Sequence, residues 1–136
     1  MLLCTACSSE KTDKQSASAW LTEGNEKVYA TVDVSDGWSA EFASGAIYFY
    51  DEKLQSDTDS VAMCITLSED VYDEYVEEAK NNDTMKELDD AIYFENEEGA
   101  NYLFEEEDVH MLLTVKDKAR ASEAFSRLSF SEDSID

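Results

Sequence analysis

AIYFENEEGANYLFEEEDVHMLLTV, residues Ala91 to Val115, is the stretch whose reading decides the fold. Ile92 and Phe94 alternate with Ala91 and Tyr93, and Leu103 alternates with Tyr102 and Phe104. Val109, Met111, Leu113 and Val115 alternate with His110, Leu112 and Thr114. Each run is too short for a helix, and a period of two sends successive side chains to opposite faces of a strand. Between the runs lie Glu97, Glu98 and Gly99, then Glu106, Glu107 and Asp108. Gly99 accommodates the positive φ that a hairpin loop often demands. Three antiparallel strands joined by two acidic turns are therefore predicted. Leu112 on the second face of the last strand, together with Tyr93, Tyr102 and Phe104, leaves neither face plainly polar. Such a sheet must be covered on both sides.

Upstream, Val28, Ala30, Val32 and Val34 alternate with Tyr29, Thr31 and Asp33, which predicts a half-buried strand ended by a turn at Ser35, Asp36 and Gly37. Trp38, Ala40 and Phe42 alternate with Ser39 and Glu41, and Ala46 to Tyr50 reads as the return strand of a hairpin. Lys53 to Ser60 is polar and reads as a surface loop, and Val61, Met63, Ile65 and Leu67 mark another strand. A helix follows at once. Ser68 is placed to cap it, Glu69 and Asp70 suit the positive end of its dipole, and Val71, Tyr72, Tyr75, Val76 and Ala79 form one apolar stripe. Thr84 and Glu87 have the spacing of a capping box, which predicts a single helical turn ahead of the three strands. Behind them, Asp117 to Leu128 reads as a second helix with Ala121, Ala124, Phe125 and Leu128 on one face. Residues 131–136 read as an acidic tail, with Phe130 docking just before it. Ala-Ile-Tyr-Phe occurs at both Ala46–Phe49 and Ala91–Phe94, an echo too short to define a repeat. The predicted class is α+β: about six strands in a mostly antiparallel sheet, flanked by two main helices.

The chain has 136 residues, 43% of them hydrophobic and 11% aromatic, which suits one globular domain, placed at residues 27–130. Its 33 acidic residues against 10 basic ones give a formal net charge of −23. Such a surface repels phosphate backbones, so nucleic acid is not an expected partner. Much of that charge reads as a solvated, solubilising surface.

At the N-terminus, MLLCTACSSE places the small residues Thr5 and Ala6 directly before Cys7, with Ser8 and Ser9 after it. This resembles the end of a bacterial lipoprotein signal. The resemblance implies that residues 1–7 are the remnant of that signal, that Cys7 is lipidated and becomes the mature N-terminus, and that the chain as given starts partway through the signal. Residues 8–26, rich in Ser, Thr, Glu and Lys, then read as a flexible tether between a cell membrane and the domain. No later run of about 18 apolar residues is present to span a bilayer.

The domain as a whole resembles the PsbP-like fold. The likeness rests on a lead-in strand, a turn running into Gly37-Trp38, a Tyr-rich hairpin, a strand flowing into Ser68-Glu69-Asp70, the three-strand unit, and a final helix closing on Ser126-Arg127-Leu128-Ser129-Phe130. That family includes extrinsic photosystem subunits, a Ran-binding import factor and many small bacterial lipoproteins. The resemblance implies an antiparallel sheet between helices and a binding or assembly role without chemistry.

Catalysis by a nucleophile needs a hydroxyl or thiol within hydrogen-bond reach of a base. The domain has one thiol, Cys64, and the chain has one histidine, His110. Each lies on the side opposite its strand's main apolar row, which allows a Cys/His pair and, as a remote alternative, a hydrolase. More commonly such residues are a small core filler and a satisfied imidazole. Zinc-ligand spacings and Gly-rich phosphate loops are lacking. The acidic turns are the stronger candidate. A three-strand unit reverses at each turn, so Asp89 and Asp90 lie at the same sheet end as Glu106, Glu107 and Asp108. These five carboxylates offer the oxygen ligands that calcium prefers, against the plainer reading of edge protection. The expected function is therefore non-catalytic. It is binding by a membrane-tethered, extracytoplasmic protein, through exposed Trp38, Tyr48 and Tyr50 or through the acidic sheet end, to another extracytoplasmic protein or with calcium in adhesion or assembly.

Overall fold

The computed structural model describes residues 14–16, 20–21, 27–43, 46–51, 60–106 and 109–131. Cys7 lies outside them, as do Glu107 and Asp108 of the second acidic turn and most of the segments read as loop, tether and tail.

Eleven strands and two α-helices follow one another in the described residues. They are β1 (Lys14–Ser16), β2 (Trp20–Leu21), β3 (Lys27–Asp33), β4 (Trp38–Ala43), β5 (Ala46–Asp51), β6 (Ala62–Leu67), α1 (Glu69–Lys80), β7 (Lys86–Glu87), β8 (Ile92–Asn96), β9 (Gly99–Glu106), β10 (Val109–Val115), α2 (Ala121–Ser126) and β11 (Leu128–Ser131). The main sheet has seven strands in the order β4-β5-β6-β10-β9-β8-β7. Every described pairing in it is antiparallel. In the second sheet β3 is the hub, paired antiparallel with β1, β2 and β11. The chain is thus α+β, with a large antiparallel sheet and two helices, and the three strands of Ala91–Val115 stand as β8, β9 and β10.

The register sorts the side chains into two faces. One row runs Phe42, Ile47, Cys64, Leu113, Tyr102, Tyr93, Lys86 across all seven strands. Its neighbour, pointing the other way, runs Glu41, Tyr48, Met63, Thr114, Asn101, Phe94. The first face packs against Ala30 and Val32 of β3, Ala121 and Ala124 of α2, and Phe125, Leu128 and Phe130. The second face carries Phe94, Leu103 and Leu112, which pack against Ala79, Tyr72, Tyr75 and Val76 of α1. Both faces are covered, as their composition requires. Asn101, fully buried in the second row, keeps its amide satisfied: Nδ2 donates to Phe94 O at 3.4 Å and Oδ1 accepts from Thr114 Oγ1 at 2.9 Å. The repeated Ala-Ile-Tyr-Phe is no structural repeat. Ile47 and Phe49 point to the first face and Ile92 and Phe94 to the second.

Local chemistry accounts for the turns. Ser68 caps α1, its Oγ accepting from Val71 N at 3.3 Å. At the turn after β3, Asp36 and Gly37 take φ of 62° and 87°, and Asp33 Oδ1 accepts from Ser35 N at 3.0 Å. Gly99 takes φ 134°, and a Cβ there would stand 2.1 Å from Val115 O. Only glycine fits where β9 begins beside the end of β10.

Three expectations are corrected. Thr84 starts no helical turn: its N and Oγ1 donate to Asn82 Oδ1 at 2.9 and 2.6 Å, and its Oγ1 accepts from Glu95 N at 2.7 Å. That bracket feeds β7, which pairs with β8 as an edge strand. The C-terminal helix ends at Ser126, and Leu128 belongs to β11, whose Leu128 and Phe130 pair with Val32 and Ala30. Ladder bonds to β3 and the packing of Leu128 and Phe130 against the core outweigh one more helical turn. Finally, Lys14–Ser16 and Trp20–Leu21, within the stretch read as a tether, pair with β3 as strands.

Candidate functional site

The sheet end that gathers Asp89, Asp90 and the close of β9 holds two hollows. The first, about 350 Å³, lies on the side of the second sheet and is lined by Asp90, Phe104, Glu106, Phe125, Leu128 and Phe130, with Ser126 and Ser129. The second, about 370 Å³, is lined by Tyr72, Glu87, Leu88, Asp89, Asp90 and Glu105 among others. Asp90 and Phe104 belong to both.

Strand alternation builds the first hollow. Phe104 and Glu106 follow Tyr102 on one face of β9. There Tyr102 stacks on Phe125 with ring centroids 4.2 Å apart and planes at 6°, while Phe104 meets Phe125 edge-on at 5.5 Å and Phe130 at 5.9 Å. Phenyl rings thus wall a space whose rim holds two carboxylates. Partial burial, and then the charge of Asp90, push the Glu106 carboxyl above its ordinary range. Among the described residues, neither Glu106 nor Asp90 forms an ion pair.

The predicted carboxylate cluster is therefore assembled in part. Asp90 and Glu106 share a hollow, Asp89 lines the neighbouring one, and Glu107 and Asp108 lie outside the described residues. No group of three or more His, Cys, Asp or Glu side chains among the described residues is arranged to hold a metal ion. The phenylalanines are what sequence reasoning missed. Phe125 on the helix stripe and a docking Phe130 were legible singly, but only the pairing of β11 with β3 brings them to Phe104.

The exposed aromatic surface predicted at Trp38, Tyr48 and Tyr50 divides between the two faces. Trp38 is 3% exposed, on the same face as Asp51, its partner across the β4–β5 hairpin. Both arginines of the chain lie over its indole, Arg120 at 4.8 Å and Arg127 at 4.4 Å from the ring centroid. Arg120 pairs with the buried Asp51. Arg127 donates to Asp33 O at 2.9 Å and Ser35 O at 3.1 Å and faces Asp36 and Glu123 at 3.5 and 3.4 Å. The indole is an internal joint between the main sheet, the turn after β3 and α2, not a docking surface. Tyr48 and Tyr50 are half-buried on the opposite face, beyond the strands that α1 packs against, with Tyr50 donating to Glu41 at 3.3 Å.

Cys64 and His110 do not meet. Register puts Cys64 opposite Ile47 and Leu113 on the face toward the second sheet, and His110 opposite Leu67 and Glu105 on the face toward α1. The main apolar rows of β6 and β10 point to opposite faces, so the positions opposite those rows do too. Cys64 is fully buried, which pushes its thiol far above the ordinary range. His110 Nε2 lies 2.7 Å from Glu105 Oε2, with the Tyr72 ring centroid 4.7 Å from its own.

Among the described residues no helix is long and apolar enough to cross a membrane. Comparison with protein-family models, curated proteins and solved structures finds no match to the chain.

Proposed function

We propose that the chain is a lipid-anchored, extracytoplasmic protein whose α+β domain, PsbP-like in the order of its elements, binds a ligand or partner without transforming it. The single observation that carries binding is the hollow at the acidic sheet end, where Phe104, Phe125 and Phe130 adjoin two carboxylates that no described residue pairs. A concave apolar surface with a few convergent polar groups is the usual form of a ligand site. The anchor rests on the residues around Cys7, which resemble a lipoprotein signal. Labelling the native gene product in its own cells with radioactive palmitate tests it. Label is expected on the wild type in the membrane fraction and absent from Cys7→Ser; an unlabelled wild-type protein would overturn the anchor.

A second reading, a calcium-dependent adhesion or assembly module, is favoured by the convergence of Asp90 and Glu106. Calcium takes 6–8 oxygen ligands, which carboxylates, backbone carbonyls and water can share.

A further inference from the structure

We infer that the hollow between Asp90, Glu106 and the Phe104–Phe125–Phe130 wall binds an organic ammonium ion, a protonated or quaternary amine carried on a small apolar group. This rests on the binding reading above and names its ligand class. The volume, about 350 Å³, suits a small organic molecule. Its walls restrict the chemistry further. Phe104, Phe125 and Phe130 make that wall apolar, and a cation carried on an apolar group that fills the hollow gains further where it comes within about 6 Å of a ring centroid. The rings offer no oxygen to a hard metal ion, and the two carboxylates repel an anion.

The carboxylates complete the argument. Glu106 is partly withdrawn from water beside Asp90, and the neighbouring hollow adds Glu87, Asp89 and Glu105. An uncharged apolar ligand would withdraw Glu106 further from water with no compensating charge. A cation relieves both the burial and the repulsion. A bare small cation would stay hydrated and make little use of the rings, whereas an alkylated ammonium is weakly hydrated and fills the space. The acidic second hollow, sharing Asp90, adds to the negative potential that draws cations to this sheet end.

Isothermal titration and amide chemical-shift mapping on the full chain test this, with benzyltrimethylammonium as the probe. Three comparators are 3,3-dimethylbutan-1-ol, calcium chloride and sodium chloride. Saturable binding is expected with benzyltrimethylammonium, with shifts centred on Phe104, Glu106, Phe125 and Ser129. Glu106→Gln should weaken it roughly tenfold, and the neutral alcohol should bind at least as poorly as that. A thermal melt and the amide spectrum of Glu106→Gln are recorded alongside, so that the change in affinity is read on folded protein. Three results would each overturn the inference: no saturation, unchanged affinity in Glu106→Gln, or diffuse shifts over all acidic surfaces that sodium chloride reproduces. Saturable calcium binding that excludes the ammonium probe would overturn it as well, in favour of the calcium reading. None of these outcomes touches the anchor, because palmitate labelling at Cys7 fails or succeeds independently.

Discussion

Trp38 shows what a single residue's sequence context can and cannot say. Alternation with Ser39 and Glu41 marks Trp38, Ala40 and Phe42 as one side of a strand, and on that side Trp38 and Ala40 are buried and Phe42 half-buried. What covers it is not local: both guanidinium groups arrive from near the other end of the chain. The same limit applies to Cys64 and His110, whose alternation is legible on each strand while the register that separates them is a property of the pair. Glu106 gives the prediction at this scale. Its folded-state pKa is raised above the unfolded value of about 4.3. Across the window between the two values the folded state holds more proton than the unfolded one, so stability falls as pH rises through it. Above that window the ionised carboxylate opposes folding. Glu106→Gln should therefore raise the melting temperature near neutral pH, and the difference should vanish below the unfolded pKa. Thermal melts of both proteins across the acid range read this directly; a variant less stable at neutral pH would contradict it.

Among the elements, those with long unambiguous periods were legible: β4, β5, β6, β8, β9, β10 and α1 stand where alternation or the apolar stripe put them. The short ones were not. β7 has two residues and no period, and Thr84–Glu87 fits a capping box as well as a bracket closed by Asn82. β11 continues the apolar spacing of the helix before it, and only pairing with β3 decides between the two. β1 and β2 carry no hydrophobic period at all, so their pairing with β3 had no signal in the chain. A cap is the most local device of all, and its effect is correspondingly transferable. Ser68→Ala removes the acceptor for Val71 N at the start of α1. It should cost about 1 kcal/mol in urea denaturation. Because α1 roofs the Phe94, Leu103 and Leu112 face, that loss should appear in global unfolding and not only as local fraying.

At the scale of the molecule, the need for a cover on both sheet faces follows from composition alone, and the two covers are unlike. A twelve-residue helix lies over one face, and a β3-centred sheet with α2 lies over the other. The aromatic wall of the hollow arises where α2 and β11 pack against the end of β9. A net charge of −23 surrounds this frame and favours cationic ligands over anionic ones at every approach. The architecture makes β10 the most protected element, since it lies between β6 and β9 in the sheet and beneath a layer on either side. Amide hydrogen exchange on the full chain, followed by mass spectrometry, tests that most directly. Val109–Val115 should exchange slowest, with the edge strands β4 and β7 clearly faster. Exchange of Val109–Val115 as fast as that of Lys86–Glu87 would contradict a sheet covered on both faces, and with it the hollow built at its end.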